Sequence, residues 1–197
     1  RFRTVIWRGA PALADWQRPK KPSSPRQAAT QVERGCPFDC GLCPAHGQHT
    51  CTALIEITQR CNLGCPVCFA DAGGGADQEP TLERIGFLYD RVLAASGPCN
   101  LQLSGGEPTV REDLSAIIAL ARRKGFSFVQ LNTNGLRLAA AANYAVQLKE
   151  AGLASVFLQF DGLSAASHQA LRGRDLRTFK EAAIRHAAAA GLGIVLV

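Results

Sequence analysis

Cys61-Asn62-Leu63-Gly64-Cys65-Pro66-Val67-Cys68-Phe69 places three cysteines in the pattern CxxxCxxC, with an aromatic residue directly after the third. Three thiolates this close in one loop suit three irons of a [4Fe-4S] cube and leave the fourth iron without a protein ligand, open to chemistry. The competing reading of the spacing alone is a structural zinc loop, although zinc ordinarily takes four ligands. Just upstream, Ala53-Leu54-Ile55-Glu56-Ile57-Thr58 alternates apolar and polar side chains and is rich in β-branched types, which predicts a strand ending where the cysteines begin. Strand tips are where parallel α/β barrels carry their chemistry.

Downstream, the pattern repeats as strand and helix. Thr81 is placed to cap a helix whose apolar stripe is Leu82, Ile85, Leu88, Tyr89, Val92 and Leu93. Asn100-Leu101-Gln102-Leu103 predicts a strand running into Ser104-Gly105-Gly106-Glu107-Pro108, with Cys99 at its start as a small buried hydrophobe. A helix bearing Leu114, Ile117, Ile118 and Ala121 follows and stops at Gly125. Phe128-Val129-Gln130-Leu131 then leads to Asn132-Thr133-Asn134-Gly135, and an alanine-rich helix is expected around Ala139 to Ala151. Val156-Phe157-Leu158-Gln159-Phe160 ends at Asp161-Gly162, a loop and helix span Ser164 to Ala190, and Ile194 to Val197 is a last strand. Strand–helix repeats of this length imply parallel strands joined by right-handed crossovers. Five strands are expected, the fifth interrupted by the chain end unless it is a natural C-terminal strand.

Upstream lies a second cysteine group, Cys36, Cys40, Cys43 and Cys51, spaced CxxxCxxCx7C. It contains its own CxxxCxxC, but no strand pattern precedes Cys36 and proline follows Cys43. Four cysteines close a coordination sphere, which suits an auxiliary iron-sulfur cluster or a single zinc or iron, with His46 and His49 as hydrogen-bonding neighbours.

Two glycines at a strand tip permit close backbone approach, and Glu107 offers a carboxylate to a cation. An ordinary turn would use the same residues. Taken together, CxxxCxxC plus an aromatic, then Gly-Gly-Glu-Pro one strand–helix unit later, resembles the radical S-adenosylmethionine (SAM) superfamily. The resemblance implies a partial (β/α)6-type barrel over residues 51–197, ending after about its fifth strand. Residues 1–50 would be a small basic segment carrying the auxiliary cysteine motif. It implies that Cys61, Cys65 and Cys68 hold a [4Fe-4S] cluster and that Phe69, Gly105, Gly106 and Glu107 belong to the SAM site, Glu107 taking the methionine ammonium. Asn132, Asn134, Gln159 and Asp161 would reach the ribose and adenine. His168, Arg172-Gly173 and Thr178-Phe179 are similar to positions in the molybdenum-cofactor and peptide-modifying branches. With its extra cysteine block, the chain is most similar to the group of tetraether-lipid synthases and methanogen pterin C-methyltransferases. The implied activity is reductive SAM cleavage to a 5′-deoxyadenosyl radical for C–C bond formation or methylation of a lipid or pterin-like substrate. A low-potential donor of the ferredoxin or flavodoxin type would deliver the electron.

Composition narrows the alternatives. With 197 residues, 47% of them hydrophobic, the chain can bury a substantial core. Seven of its eight cysteines fall between Cys36 and Cys68, which reads as ligation in a reducing compartment rather than as a disulfide scaffold. The longest apolar run, Ala187 to Val197, is broken by glycine and falls short of the roughly 20 residues that span a bilayer. A soluble cytoplasmic protein is the expectation. The formal net charge of +6 is concentrated in residues 1–50, where a linker-like stretch runs from Arg18 to Arg26. A solvated arm explains that charge; the rival is a zinc-stabilised nucleic-acid-binding module, which leaves Gly105-Gly106-Glu107 without a task.

Overall fold

The computed structural model describes Thr50, residues 52–73 and residues 79–197, together with the backbone of a short antiparallel ladder that pairs Val32–Glu33 with Cys36–Pro37. The side chain of Cys36, the auxiliary cysteines Cys40, Cys43 and Cys51, His46 and His49 and the basic linker lie outside the described residues.

Five strands, β1 (Thr52–Thr58), β2 (Asn100–Gly105), β3 (Val129–Thr133), β4 (Ser155–Leu158) and β5 (Gly193–Leu196), pair in sequence order into one sheet, and every pairing is parallel. A strand order without reversal, joined by right-handed crossovers, puts all helices on one face and leaves the other face to curl inward as a partial barrel. The helices are α1 (Leu82–Ser96), α2 (Leu114–Lys124), α3 (Leu136–Ala140), α4 (Ala142–Glu150), α5 (Ala165–Arg172) and α6 (Arg177–Ala189). Among the described residues no helix is long and apolar enough to cross a membrane.

Alternation along the strands sorts the side chains between the two faces. Ile55, Ile57, Leu101, Leu103, Val129, Leu131, Val156 and Leu158 are buried against the helices, where they meet Ile85, Tyr89, Ile117, Ala121 and Ala183 in one core. Each large side chain in such a core contributes about 1.5–3 kcal/mol. Cys99 is buried there as expected. The opposite face carries two registered rows. One runs Leu54, Gln102, Gln130, Ser155, Gly193; the other, one step nearer the strand tips, contains Glu56, Ser104, Asn132, Phe157 and Val195. These rows are largely polar and half-open, which a helix-facing surface is not.

Helix signals performed unevenly. Thr81 caps α1 by accepting from the Arg84 N–H, and Gly125 ends α2 in the left-handed conformation. The alanine-rich run is two helices rather than one, with Ala141 extended (φ −146°) between them. No glycine or proline marks that break. Tertiary contacts fix it instead: the His186 ring meets the Leu138 carbonyl at 2.7 Å, and the Arg137 guanidinium stacks 4.5 Å from the Tyr144 ring centroid. Likewise the segment from Ser164 to Ala190 splits at Gly173 (φ 76°) into α5 and α6.

Candidate active site at the strand tips

The cysteine loop leaves β1 at Thr58 and is held at its base. Glu79 accepts from the Thr58 hydroxyl and, at 2.7 and 2.9 Å, from two guanidinium nitrogens of Arg60. Those bonds hold the Glu79 carboxyl below the usual range, Arg60 being the largest cause, although burial opposes them. Arg111, 5% exposed, donates to the carbonyls of Ile57 (2.9 Å) and Pro80 (3.0 Å), tying the end of β1 to the segment that enters α1.

Beyond this base the thiols stand free. Cys61, Cys65 and Cys68 are free thiols, and among the described residues each sulfur accepts one donor: Leu63 N–H at 3.4 Å, an Arg172 guanidinium nitrogen at 3.7 Å and Ala72 N–H at 3.5 Å, respectively. Burial pushes the Cys61 thiol up, with the Leu63 N–H opposing. Phe69, beside them, is 76% exposed.

The Gly-Gly-Glu turn is wedged against this loop. Gly106 N–H donates to Thr58 O and Glu107 N–H to Arg60 O, both at 2.9 Å, and the β1–β2 register shifts between Glu56 and Thr58 to allow it. A Cβ on Gly105 would collide with the Thr58 carbonyl, and one on Gly106 with that of Arg60. The close approach that demands glycine is therefore made by the cysteine loop's own backbone.

Glu107 is engaged inside the protein. Only 1% exposed, its carboxylate accepts from Thr109 N–H (3.0 Å), Thr109 hydroxyl (2.6 Å), Thr133 hydroxyl (2.7 Å) and Asn134 N–H (2.7 Å). It is a knot between the tips of β2 and β3, with most of its acceptor capacity used inside the protein.

The remaining expected residues fall around the same tips. Asn134 is buried: its amide donates to Asn62 Oδ1 in the cysteine loop at 2.8 Å, and its Oδ1 accepts from Leu136 N–H at the start of α3. Its carbonyl accepts from Lys180 Nζ at 2.8 Å. Asn132 donates to Ser104 Oγ at 3.1 Å, while its Oδ1 is buried without a partner among the described residues. Gln159 continues past β4 through a 3.1 Å backbone bond to Thr133 O. Asp161, in the left-handed region at φ 63°, takes both arms of Arg172 at 2.8 and 2.5 Å. Burial alone would raise the Asp161 carboxyl, but Arg172 outweighs it and holds it low. Arg172 thereby links the β4 tip, α5 and Cys65.

Two functional-looking residues escaped the sequence reading. Lys180 is fully buried, and burial draws its ammonium down to about 8 against the pull of Asp161. Its signal was a lysine on the α6 stripe that continues through Ala183 and Ala187. Arg111 gave none: beside its local ion pair with Asp113, the bonds that matter here go to backbone carbonyls far away in sequence.

Among the described residues no trio of His, Cys, Asp and Glu is gathered as a ready-made single-ion site. The sulfurs of one tetrahedral zinc lie only about 3.8 Å apart, given its Zn–S bonds of about 2.3 Å. The donor set fits an iron-sulfur cluster: three unoxidised thiols in one loop, each sulfur within reach of an N–H that suits thiolate charge.

A five-stranded parallel half-barrel with a three-cysteine loop at its first strand tip defines a class of cluster-bearing α/β barrels. Residues 55–197 match the radical SAM superfamily. The chain is 40% identical over 198 residues to 7,8-dihydro-6-hydroxymethylpterin dimethyltransferase of Methanocaldococcus jannaschii, covering 100% of this chain and 39% of that protein. It is 38% identical over 142 residues to GTP 3′,8-cyclase of Moorella thermoacetica, covering 70% of this chain and 43% of that one. Among solved structures, native anSMEcpe with bound AdoMet and Cp18Cys peptide aligns with a TM-score of 0.58 and 26% identity over 75% of this chain and 42% of that chain. The chain belongs to the radical SAM superfamily, a superfamily of enzymes, and membership implies a [4Fe-4S] cluster and SAM. It spans about two fifths of the length of these relatives.

Proposed function

We propose that residues 51–197 are the core of an enzyme that cleaves SAM reductively and functionalises a C–H bond of a pterin-type heterocycle, methylation being the transformation favoured. The observation that carries the reading is the pair of backbone bonds from Gly106 and Glu107 to Thr58 and Arg60, which lays the glycine turn against the cysteine loop. In this reading Cys61, Cys65 and Cys68 hold the cluster, and Gly105 and Gly106 present backbone to the methionine end of SAM. Glu107 fixes the β2 and β3 tips that shape the pocket. Gln159 and Asp161 line the nucleoside side, and Phe69 shields the cluster. When bound, the cluster and SAM supply a one-electron cleavage of the sulfonium bond and a hydrogen-abstracting 5′-deoxyadenosyl radical; the protein orients reactants and excludes water.

The pterin choice is supported by the relative that matches across the whole chain, including the N-terminal cysteine block. Residues 1–50 are read as an accessory segment in which Cys36, Cys40, Cys43 and Cys51 hold a second centre, an iron-sulfur cluster or a single zinc or iron. A ferredoxin- or flavodoxin-type donor and a reducing, cytoplasmic setting complete the reading.

The test uses the full-length protein purified without oxygen. Iron with acid-labile sulfide for at least one cluster, 5′-deoxyadenosine with dithionite and SAM, and a mass gain on 7,8-dihydro-6-hydroxymethylpterin are expected. Zinc without sulfide and no 5′-deoxyadenosine would overturn the enzyme reading.

A further inference from the structure

The uncovered face of the sheet carries a constellation that neither the cluster nor the Glu107 knot uses. Glu56 is half-buried on β1, and no described residue donates to its carboxylate. Its registered neighbour on β2 is Ser104, whose hydroxyl accepts from Asn132 Nδ2 at 3.1 Å. Asn132 Oδ1 has no partner among the described residues although the atom is buried. The next position in this row is Phe157, half-exposed and outside the helix-facing core. Beneath the row lies a closed chain of amides: Gln102 Nε2 donates to Gln130 Oε1 at 2.9 Å, and Gln130 Nε2 to Ser155 Oγ at 3.3 Å.

Each part makes a separate demand. A buried acceptor left unpaired is destabilising, so Asn132 Oδ1 calls for a donor that the described residues do not supply. A carboxylate can accept two parallel N–H donors in a planar fork, the geometry it uses with guanidinium groups. An aromatic ring beside the Asn132 acceptor, in the row that begins at Glu56, favours a flat partner that stacks as it donates. The hydrogen-bonded row below, from Gln102 through Gln130 to Ser155, acts as a floor.

We infer that Glu56 and Asn132 Oδ1 receive the donor edge of a planar 2-amino-4-oxopyrimidine, the ring N–H and amino group lying in the Glu56 fork and Phe157 against the ring face. That edge belongs both to pterins and to guanine nucleotides. The inference rests on the function proposed above for its position within the barrel. Glu56 acts here as a specificity determinant, remote from the cysteines that hold the cluster.

Equilibrium binding to the reconstituted full-length protein decides it, with 7,8-dihydro-6-hydroxymethylpterin, its 2-oxo analogue lacking the amino group, and GTP as probes. Glu56→Gln should weaken pterin binding roughly ten- to hundredfold, with iron content and SAM affinity unchanged. The 2-oxo analogue should bind the wild type at least tenfold more weakly than the pterin, and Glu56→Gln should scarcely affect it. GTP binding with the same Glu56 dependence, in place of pterin, supports the inference and overturns the pterin reading. Pterin binding indifferent to Glu56→Gln overturns the inference and leaves that reading standing. If the variant fails to take up iron, the wild-type comparison decides alone: equal affinity for pterin and 2-oxo analogue overturns the inference. A wild type that binds neither pterin nor GTP overturns both.

Discussion

Two strand tips meet at this site and are built on opposite terms. At the β2–β3 tips the Glu107 carboxylate is buried and accepts four protein hydrogen bonds. At the β1 tip each cysteine sulfur accepts one weak bond from the described residues, and the three thiols are partly or fully exposed. The first tip is finished by the protein; the second keeps most of its sulfur lone pairs available. Removing a group from a finished tip should register in folding, whereas removing one from an unfinished tip should register in ligand retention.

The largest expected effect tests the unfinished tip. Cys68→Ala, the exposed member of the trio, should abolish retention of the Cys61-loop cluster and 5′-deoxyadenosine formation, as should Cys61→Ala and Cys65→Ala. The unfolding free energy of metal-free Cys68→Ala should stay within about 0.5 kcal/mol of wild type. Iron and sulfide analysis beside urea denaturation reads both, and wild-type turnover in any of the three would remove the loop from the mechanism.

Glu107→Gln tests the finished tip. An amide in place of the carboxylate keeps the size but turns an N–H toward groups that already donate, at a cost of about 2–4 kcal/mol in the metal-free protein. If stability is unchanged while SAM binding alone is lost, Glu107 is a ligand contact and not a knot.

The smallest effect concerns Lys180, which supports the Asn134 carbonyl from α6. Its folded pKa lies below its ordinary value, so between about pH 8 and 10.5 the unfolded chain binds more protons at this group. Stability from this group therefore rises with pH across that window and falls as pH is lowered through it. Lys180→Met should flatten this part of the stability curve, and parallel curves for the two proteins would show that Lys180 does not titrate there.

The strand–helix alternation, the five parallel strands, the cap at Thr81 and the cysteine loop at a strand end were legible because each follows from local periodicity or from turn chemistry. So was the need for glycine at positions 105 and 106, but not its cause. The contact that demands them lies with the backbone of Thr58 and Arg60, distant in sequence. The breaks at Ala141 and Gly173 differ in the same way. Gly173 announces a stop, whereas Ala141 is an alanine among alanines, extended because α3 and α4 must both dock against α6.

The one-dimensional chain thus determined which residue types stand at each strand tip, since a loop's ligands and a strand's alternation are encoded within a few neighbours. Only the tertiary structure decided what those residues face. Glu107 turns inward to Thr133 and Asn134, Arg172 joins Asp161 to Cys65 across 107 residues, and Glu56 and Asn132 share one open row of the barrel. Whether a polar atom is satisfied depends on partners brought close by sheet register and crossover packing, and no local pattern carries that information.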